Sequence, residues 1–106
     1  MPRILVVDDQ PDSLLAARAA LVAVGHVCVL AADGERALEL LAAGGFDAVV
    51  LDPAMPLHDG WPVLAACTVP VVAVSNATWL PAATSVVAKP FAAADLVAAI
   101  GAALAR

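Results

Sequence analysis

Five side chains able to act together each stand at the end of a short apolar run. Ile4-Leu5-Val6-Val7 ends on Asp8 and Asp9, Ala48-Val49-Val50-Leu51 on Asp52, Val69-Pro70-Val71-Val72-Ala73-Val74 on Ser75, and Val86-Val87-Ala88 on Lys89. Three carboxylates within a few ångströms repel one another, and without a cation at least one of them holds its proton more tightly. A hard divalent cation with oxygen ligands relieves that repulsion, and Mg²⁺ bound by two carboxylates and waters is the natural match. Such an ion leaves positions open for phosphate oxygens. A lysine opposite would hold a further phosphate oxygen as a point charge, and a serine hydroxyl would donate to another. Aspartate can itself act as a nucleophile and form an acyl phosphate. The set therefore suits a phosphoryl group on or beside a carboxylate. On this reading the partner of Lys89 is a phosphoryl oxygen, present only when that group is loaded.

The runs that carry these residues read as strands buried on both faces, being apolar, too short for helices and bounded by turn formers. A buried, unpaired carboxylate is costly, so Asp52 belongs where its strand leaves the sheet. Val27 to Leu30 makes one more strand, giving five in all, and it ends on Ala31 and Ala32 with nothing polar to offer. Between the strands, apolar residues return at helical spacing. Leu14, Leu15, Ala17, Leu21 and Val24 form a first helix, capped by Asp12 or Ser13 and stopped by Gly25. Asp33 caps a second helix that buries Leu38 and Leu41 and ends at Gly44-Gly45. Asp59 caps a short third helix from Trp61 to Ala66, with Pro62 in its first turn. Residues 92–105, with Leu96, Val97, Ile100 and Leu104 on one face, close the chain as a helix. Strands alternating with helices predict a parallel sheet covered on both sides. In such a sheet ligands bind beyond the carboxyl ends of the strands, where strand order reverses. That is the edge on which the three acids, the serine and the only lysine all fall.

The chain has 106 residues, enough for one domain, taken here as residues 1–106. Five basic residues (Arg3, Arg18, Arg36, Lys89 and Arg106) are scattered against a net charge of -5. Direct binding of nucleic acid through its phosphates is therefore not expected. No apolar run reaches the roughly 18 residues of a membrane span, and Met1-Pro2-Arg3-Ile4 does not open a signal peptide, so a soluble, cytoplasmic protein is expected. Cys28 and Cys67 lie far apart in apolar surroundings and read as small buried hydrophobes. His58 reads as an exposed loop histidine, and His26, beside a strand start, carries no functional claim. Trp61 and Trp79 read as packing or surface-patch residues, Trp79 beside a short loop being a candidate partner contact. Ser75 also has a plain alternative as a turn former.

Over its whole length the chain resembles the receiver domain of bacterial two-component response regulators. The matching motifs are Asp8-Asp9, Asp52-Pro53-Ala54-Met55-Pro56 with Asp59-Gly60, Ser75, and Lys89-Pro90. The resemblance implies a flavodoxin-like three-layer sandwich of five parallel strands in the order 2-1-3-4-5. It implies phosphorylation at Asp52 by a histidine kinase or phosphotransfer protein, with Ser75 and Lys89 in the roles given above. It also implies Mg²⁺ held by Asp9, Asp52 and the backbone carbonyl of Ala54, with Asp8 acting through water. A downstream effector protein or domain would read the change in surface. The chain would be a regulator that assists only its own phosphorylation and dephosphorylation, not an enzyme.

This sequence departs from the family pattern in three places. Asn76 stands where a small residue usually flanks the phosphoryl site, and Val86 where an aromatic residue usually couples to the switch hydroxyl. Ser75 and Lys89 are closer in sequence than usual by about two helical turns, and the stretch from Asp52 to Ser75 is short by a similar amount. The fourth family helix is accordingly expected to be shortened or absent between Ser75 and Val86, with Pro81 interrupting any turn there. Three function classes follow: a phosphoacceptor module, a non-switching pseudo-receiver that acts as an interaction domain, and a phosphatase-like hydrolase. Against the last stands Ala54, two residues after Asp52, where such an enzyme would carry a general acid.

Overall fold

The computed structural model describes residues 1–54, 60–76 and 85–105. The expectations placed on His58, the Asp59 cap, Trp79, Pro81 and the shortened fourth helix lie outside the described residues.

Alternation along the strands sorts the apolar residues into two layers. In β1 (Arg3–Val7), Ile4 and Val6 pack on one side and Leu5 and Val7 on the other. In β3 (Ala48–Leu51), Ala48 and Val50 share the first side while Val49 and Leu51 share the second. A period of two on a strand buried on both faces gives this division directly. The first layer is closed by α1 (Pro11–Val22), through Leu14, Ala17 and Leu21, and by α4 (Ala93–Leu104), through Leu96, Ile100 and Ala103. The second is closed by α2 (Gly34–Ala43), through Ala37, and α3 (Gly60–Ala66), through Val63 and Leu64.

With β2 (Val27–Ala31), β4 (Val71–Val74) and β5 (Ser85–Val87), the sheet has the order β2-β1-β3-β4-β5 and every pairing is parallel. This is the expected flavodoxin-like sandwich. The order reverses around β1, which has β2 on one side and β3 on the other. Crossovers leave β1 in opposite directions there and open a crevice beyond the carboxyl ends of β1 and β3. Arg3 fixes the opposite end of the same pair. Its backbone N–H donates to Asp47 Oδ2 at 2.8 Å, its Nη1 to the Gly45 carbonyl at 3.3 Å, and its guanidinium lies 4.8 Å from the centre of the Phe46 ring.

Helix ends follow sequence chemistry with one correction. Asp33 caps α2 as expected, its Oδ1 accepting the Arg36 N–H at 2.7 Å, and Gly44 ends that helix at φ 78°. The N-cap of α1 is neither Asp12 nor Ser13 but Gln10, with no side-chain cap bond. Pro11 takes the first helical position, where its missing N–H costs nothing and its fixed φ already suits the helix. Asp12 instead places its charge in the first turn, toward the positive end of the helix dipole. Strand bounds also move: β4 starts at Val71, after Pro70, and β5 runs from Ser85 to Val87, one residue earlier than expected.

Candidate functional site

Asp8 and Asp52 are the first residues beyond β1 and β3, and the ladder still holds their backbones. The Asp8 N–H donates to the Ala31 carbonyl at 3.2 Å and the Asp52 N–H to the Val7 carbonyl at 3.0 Å. Neighbouring parallel strands in register therefore deliver the two acids side by side. Both are buried, at 5% and 8% exposure, an uncommon state for an ionisable group and one that requires partners.

Each carboxylate finds its partners in the same way. One oxygen accepts from the backbone two residues on: Asp8 Oδ1 from the Gln10 N–H, and Asp52 Oδ1 from the Ala54 N–H, both at 2.9 Å. These are Asx-type turns, in which the side chain fixes the start of its own loop. The second oxygen accepts from Lys89, whose Nζ lies 2.9 Å from Asp8 Oδ2 and 2.9 Å from Asp52 Oδ2. Burial alone would lower the Lys89 pKa. Hydrogen bonds to Asp52 and Asp8, with the charge of both, outweigh it and leave the pKa raised above 10.5. The ammonium is thus held firmly in its charged form.

This arrangement corrects the expectation that Lys89 gains a partner only with a phosphoryl group. Two buried carboxylates need a countercharge in the unloaded protein as well, and the lysine supplies it. It also relieves the repulsion expected of the acid cluster.

Asp9 points to a different duty. It is exposed, and it lines a pocket of about 560 Å³ together with Asp52, Ala54, Ser75, Asn76 and Lys89. Carboxylate oxygens of Asp8, Asp9 and Asp52 all lie within 4.8 Å of one another. Hard oxygen donors at that spacing, beside a pocket roomy enough for water, fit Mg²⁺. The residues expected at the site are therefore brought together, Asp9, Asp52, Ala54, Ser75 and Lys89 in the pocket lining and Asp8 through the acid cluster and its bond to Lys89. Asp8 forms the floor, Asp9, Asp52 and Ala54 one wall, and Ser75 and Lys89 the other. The Ser75 N–H donates to the Val87 carbonyl at 2.9 Å, which ties the end of β4 to β5.

Three supporting residues escaped sequence reasoning. Gln10 holds Asp8 through a backbone donor, which no side-chain pattern reveals. Asn76, in sequence only a departure from the family pattern, accepts the Lys89 backbone N–H at Oδ1, 3.3 Å away. Gly60 opens α3 directly against the loop after Asp52: a Cβ there would lie 2.5 Å from Pro53 Cα and 2.6 Å from its carbonyl oxygen. In sequence Gly60 is only part of the Asp59-Gly60 motif, whereas in the structure it serves close backbone approach.

Comparison with known proteins agrees with this geometry. The family model for the response regulator receiver domain matches residues 4–101. The transcriptional regulatory protein PrrA of Mycobacterium bovis is 36% identical over an alignment covering 99% of this chain and 51% of the relative. That alignment runs over 118 positions, more than the chain's 106 residues, so the relative carries residues that this chain lacks. The transcriptional regulatory protein TcrA of Mycobacterium tuberculosis is 43% identical over 59% of this chain and 25% of its own length. The chain thus spans about a quarter to a half of the curated relatives it matches. Among solved structures, a response regulator receiver protein from Burkholderia phymatum superposes with a TM-score of 0.86 at 28% identity, covering 99% of this chain and 96% of that one. A receiver domain from Clostridium thermocellum reaches 0.89 at 24% identity, covering 100% and 96%, which speaks to the fold alone. With the acids, the lysine and the switch-point crevice where they are, the chain belongs to the response regulator receiver domain family of two-component signalling.

Proposed function

We propose that residues 1–106 form one phosphoacceptor module, in which Asp52 takes a phosphoryl group from a histidine kinase or phosphotransfer protein. The observation that carries this reading is the Lys89 ammonium, shared at 2.9 Å between Asp8 and Asp52 beside the exposed Asp9. Mg²⁺, held by Asp9, Asp52 and the Ala54 carbonyl with Asp8 acting through water, would supply positive charge to the phosphoryl oxygens. An Asp52 oxygen attacks phosphorus from the pocket side, forming the P–O bond as the P–N bond to the donor imidazole breaks. The departing imidazole takes a proton from solvent. As negative charge builds on the phosphoryl oxygens, Lys89 transfers from the carboxylates to one of them, and the Ser75 hydroxyl donates to another. The Asx turn at Ala54 does not involve Lys89, so the bond from the Ala54 N–H to Asp52 Oδ1 holds the loop after Asp52 while the lysine moves.

A downstream protein or domain would read the outcome. The dispersed basic residues give no footprint for direct nucleic-acid contact. Among the described residues, no helix is long and apolar enough to cross a membrane, in keeping with work in the cytoplasm. The alternative, a pseudo-receiver that keeps the acid site but does not switch, draws on Val86, an exposed aliphatic residue where an aromatic one is usual.

The test is phosphorylation with a small phosphodonor and Mg²⁺, followed by borohydride reduction and peptide mapping. The label should fall on Asp52 and be lost in Asp52→Asn, and Asp9→Asn should sharply weaken the binding of Mg²⁺. A label at another residue overturns the assignment.

A further inference from the structure

The ladder between β4 and β5 stops short of the lysine it has to position. Its last rung runs from the Ser75 N–H to the Val87 carbonyl at 2.9 Å. In a regular parallel ladder the next donor, the Lys89 N–H, would go to the Ser75 carbonyl. It goes to Asn76 Oδ1 instead, at 3.3 Å. Pro90 follows and brings no N–H of its own, and among the described residues this bond is what holds the Lys89 backbone N–H. We infer that Asn76 is a positioning residue for Lys89: its side-chain carbonyl adds a rung to a truncated ladder and fixes the backbone from which the ammonium reaches Asp8 and Asp52.

The surroundings explain why the rung matters. A lysine side chain has four rotatable carbons, so where its head sits depends on where its Cα is held. Asn76, Lys89 and Gln10 together separate the acid pocket from a neighbouring cavity of about 380 Å³. That second cavity is lined by Asp12 on one side and by Pro90 and Phe91 on another. Lys89 thus lines a cavity that also holds the exposed carboxylate of Asp12. With its backbone held by Asn76, the ammonium stays on the Asp8–Asp52 pair. A small residue at position 76 supplies no acceptor at all.

The functional weight of this inference rests on Lys89 serving the phosphoryl site, but its test uses the protein free of phosphate and metal. The two can thus fail separately. Lys89 is the only lysine, so its amine can be followed without interference once the N-terminal amine is resolved by peptide mapping. Amide hydrogen exchange of Lys89 and the acylation rate of its amine by acetic anhydride are measured in the parent, Asn76→Ala and Asn76→Asp. Loss of one hydrogen bond predicts exchange at Lys89 faster by about three- to tenfold in Asn76→Ala, with faster acylation. Asn76→Asp keeps the acceptor oxygen and should restore the parent's protection. Exchange at Val50, in the core, should be the same in all three. An unchanged Lys89 in Asn76→Ala, failure of Asn76→Asp to restore it, or acceleration at Val50 as well would each overturn the inference.

Discussion

The two walls of the site are built to different standards. The acid wall grows from β1 and β3, paired over four positions in the middle of the sheet, and all four residues of β3 are buried. The lysine wall grows from β4 and β5. There β5 is an edge strand of three residues, none fully buried, and one of its anchors beyond the ladder is a side chain. Buried strands flanked on both sides open only with the whole molecule, whereas an edge strand with few apolar contacts opens locally and at lower cost. The carboxylates that must keep their spacing are set in the rigid half. The cation that, on the proposed function, changes partners when a phosphoryl group arrives is set in the yielding half.

The comparison is broken most directly by matched truncations. Leu51 is fully buried in β3, directly before Asp52, and Leu51→Ala should cost about 2–5 kcal/mol. Val86, at the centre of β5, is 37% exposed, and Val86→Ala should cost less than about 1 kcal/mol. Urea unfolding of both variants measures the difference. Equal losses would mean that the edge strand is as integral to the core as the central one.

The next effect in size comes from the group that joins the walls. Lys89→Met removes the countercharge of two buried acids. For a pair that is neither surface nor sealed from water, the loss should be roughly 1–3 kcal/mol at neutral pH. Adding Asp52→Asn should recover much of it, since one of the stranded charges is then gone. The pH dependence carries a sign that can be checked. A lysine whose folded pKa is raised contributes stability fully present below its unfolded value and lost as pH rises through the folded one. The Lys89 contribution should thus fade on the alkaline side of 10.5. Cys67, pushed by burial from 9.0 up to about 11, favours its neutral thiol in the folded state, so stability falls across that interval too. Unfolding free energy should accordingly decline from about pH 9. Cys28, also raised by burial, contributes to the same early decline, so Cys67→Ala should reduce the earlier part and Lys89→Met remove the later part. A flat profile in the parent to pH 11 would contradict both.

What could be read beforehand follows the same division. The acid wall was legible because buried parallel strands are written as apolar runs, and the polar residue that ends each run marks the crevice. Asp8, Asp9, Asp52, Ser75 and Lys89 were placed by that rule alone. Interactions through the backbone were not legible. No residue pattern announces that Gln10 and Ala54 lend their N–H groups, or that Gly60 must clear Pro53. The cap of α1 was misread because Asp12 and Ser13 are good caps by type, while Pro11 had already fixed where the helix starts. The unloaded state of Lys89 was missed for an electrostatic reason. Two buried carboxylates need a countercharge even without a phosphoryl group, and the depth of their burial is not written in residue types.

The smallest effect sharpens the contrast at the level of single polar groups. On the acid wall both buried carboxylates have two partners each among the described residues. On the lysine wall, Ser85 opens β5 opposite Val72 with its hydroxyl oxygen buried and, among the described residues, unpaired. A buried hydroxyl without a partner forfeits its hydration and gains nothing in return. Removing it should therefore be neutral or stabilising, where removing a bonded one costs about 1 kcal/mol. Ser85→Ala keeps the backbone rung and deletes only the orphan oxygen. It should leave stability unchanged or raise it by up to about 1 kcal/mol, the cavity left by one oxygen being small. Urea unfolding decides the matter, with amide exchange at Val87 as a local check on the edge strand. A clear loss of stability would mean that the Ser85 hydroxyl is held by a partner, and that the lysine wall is as fully satisfied as the acid one.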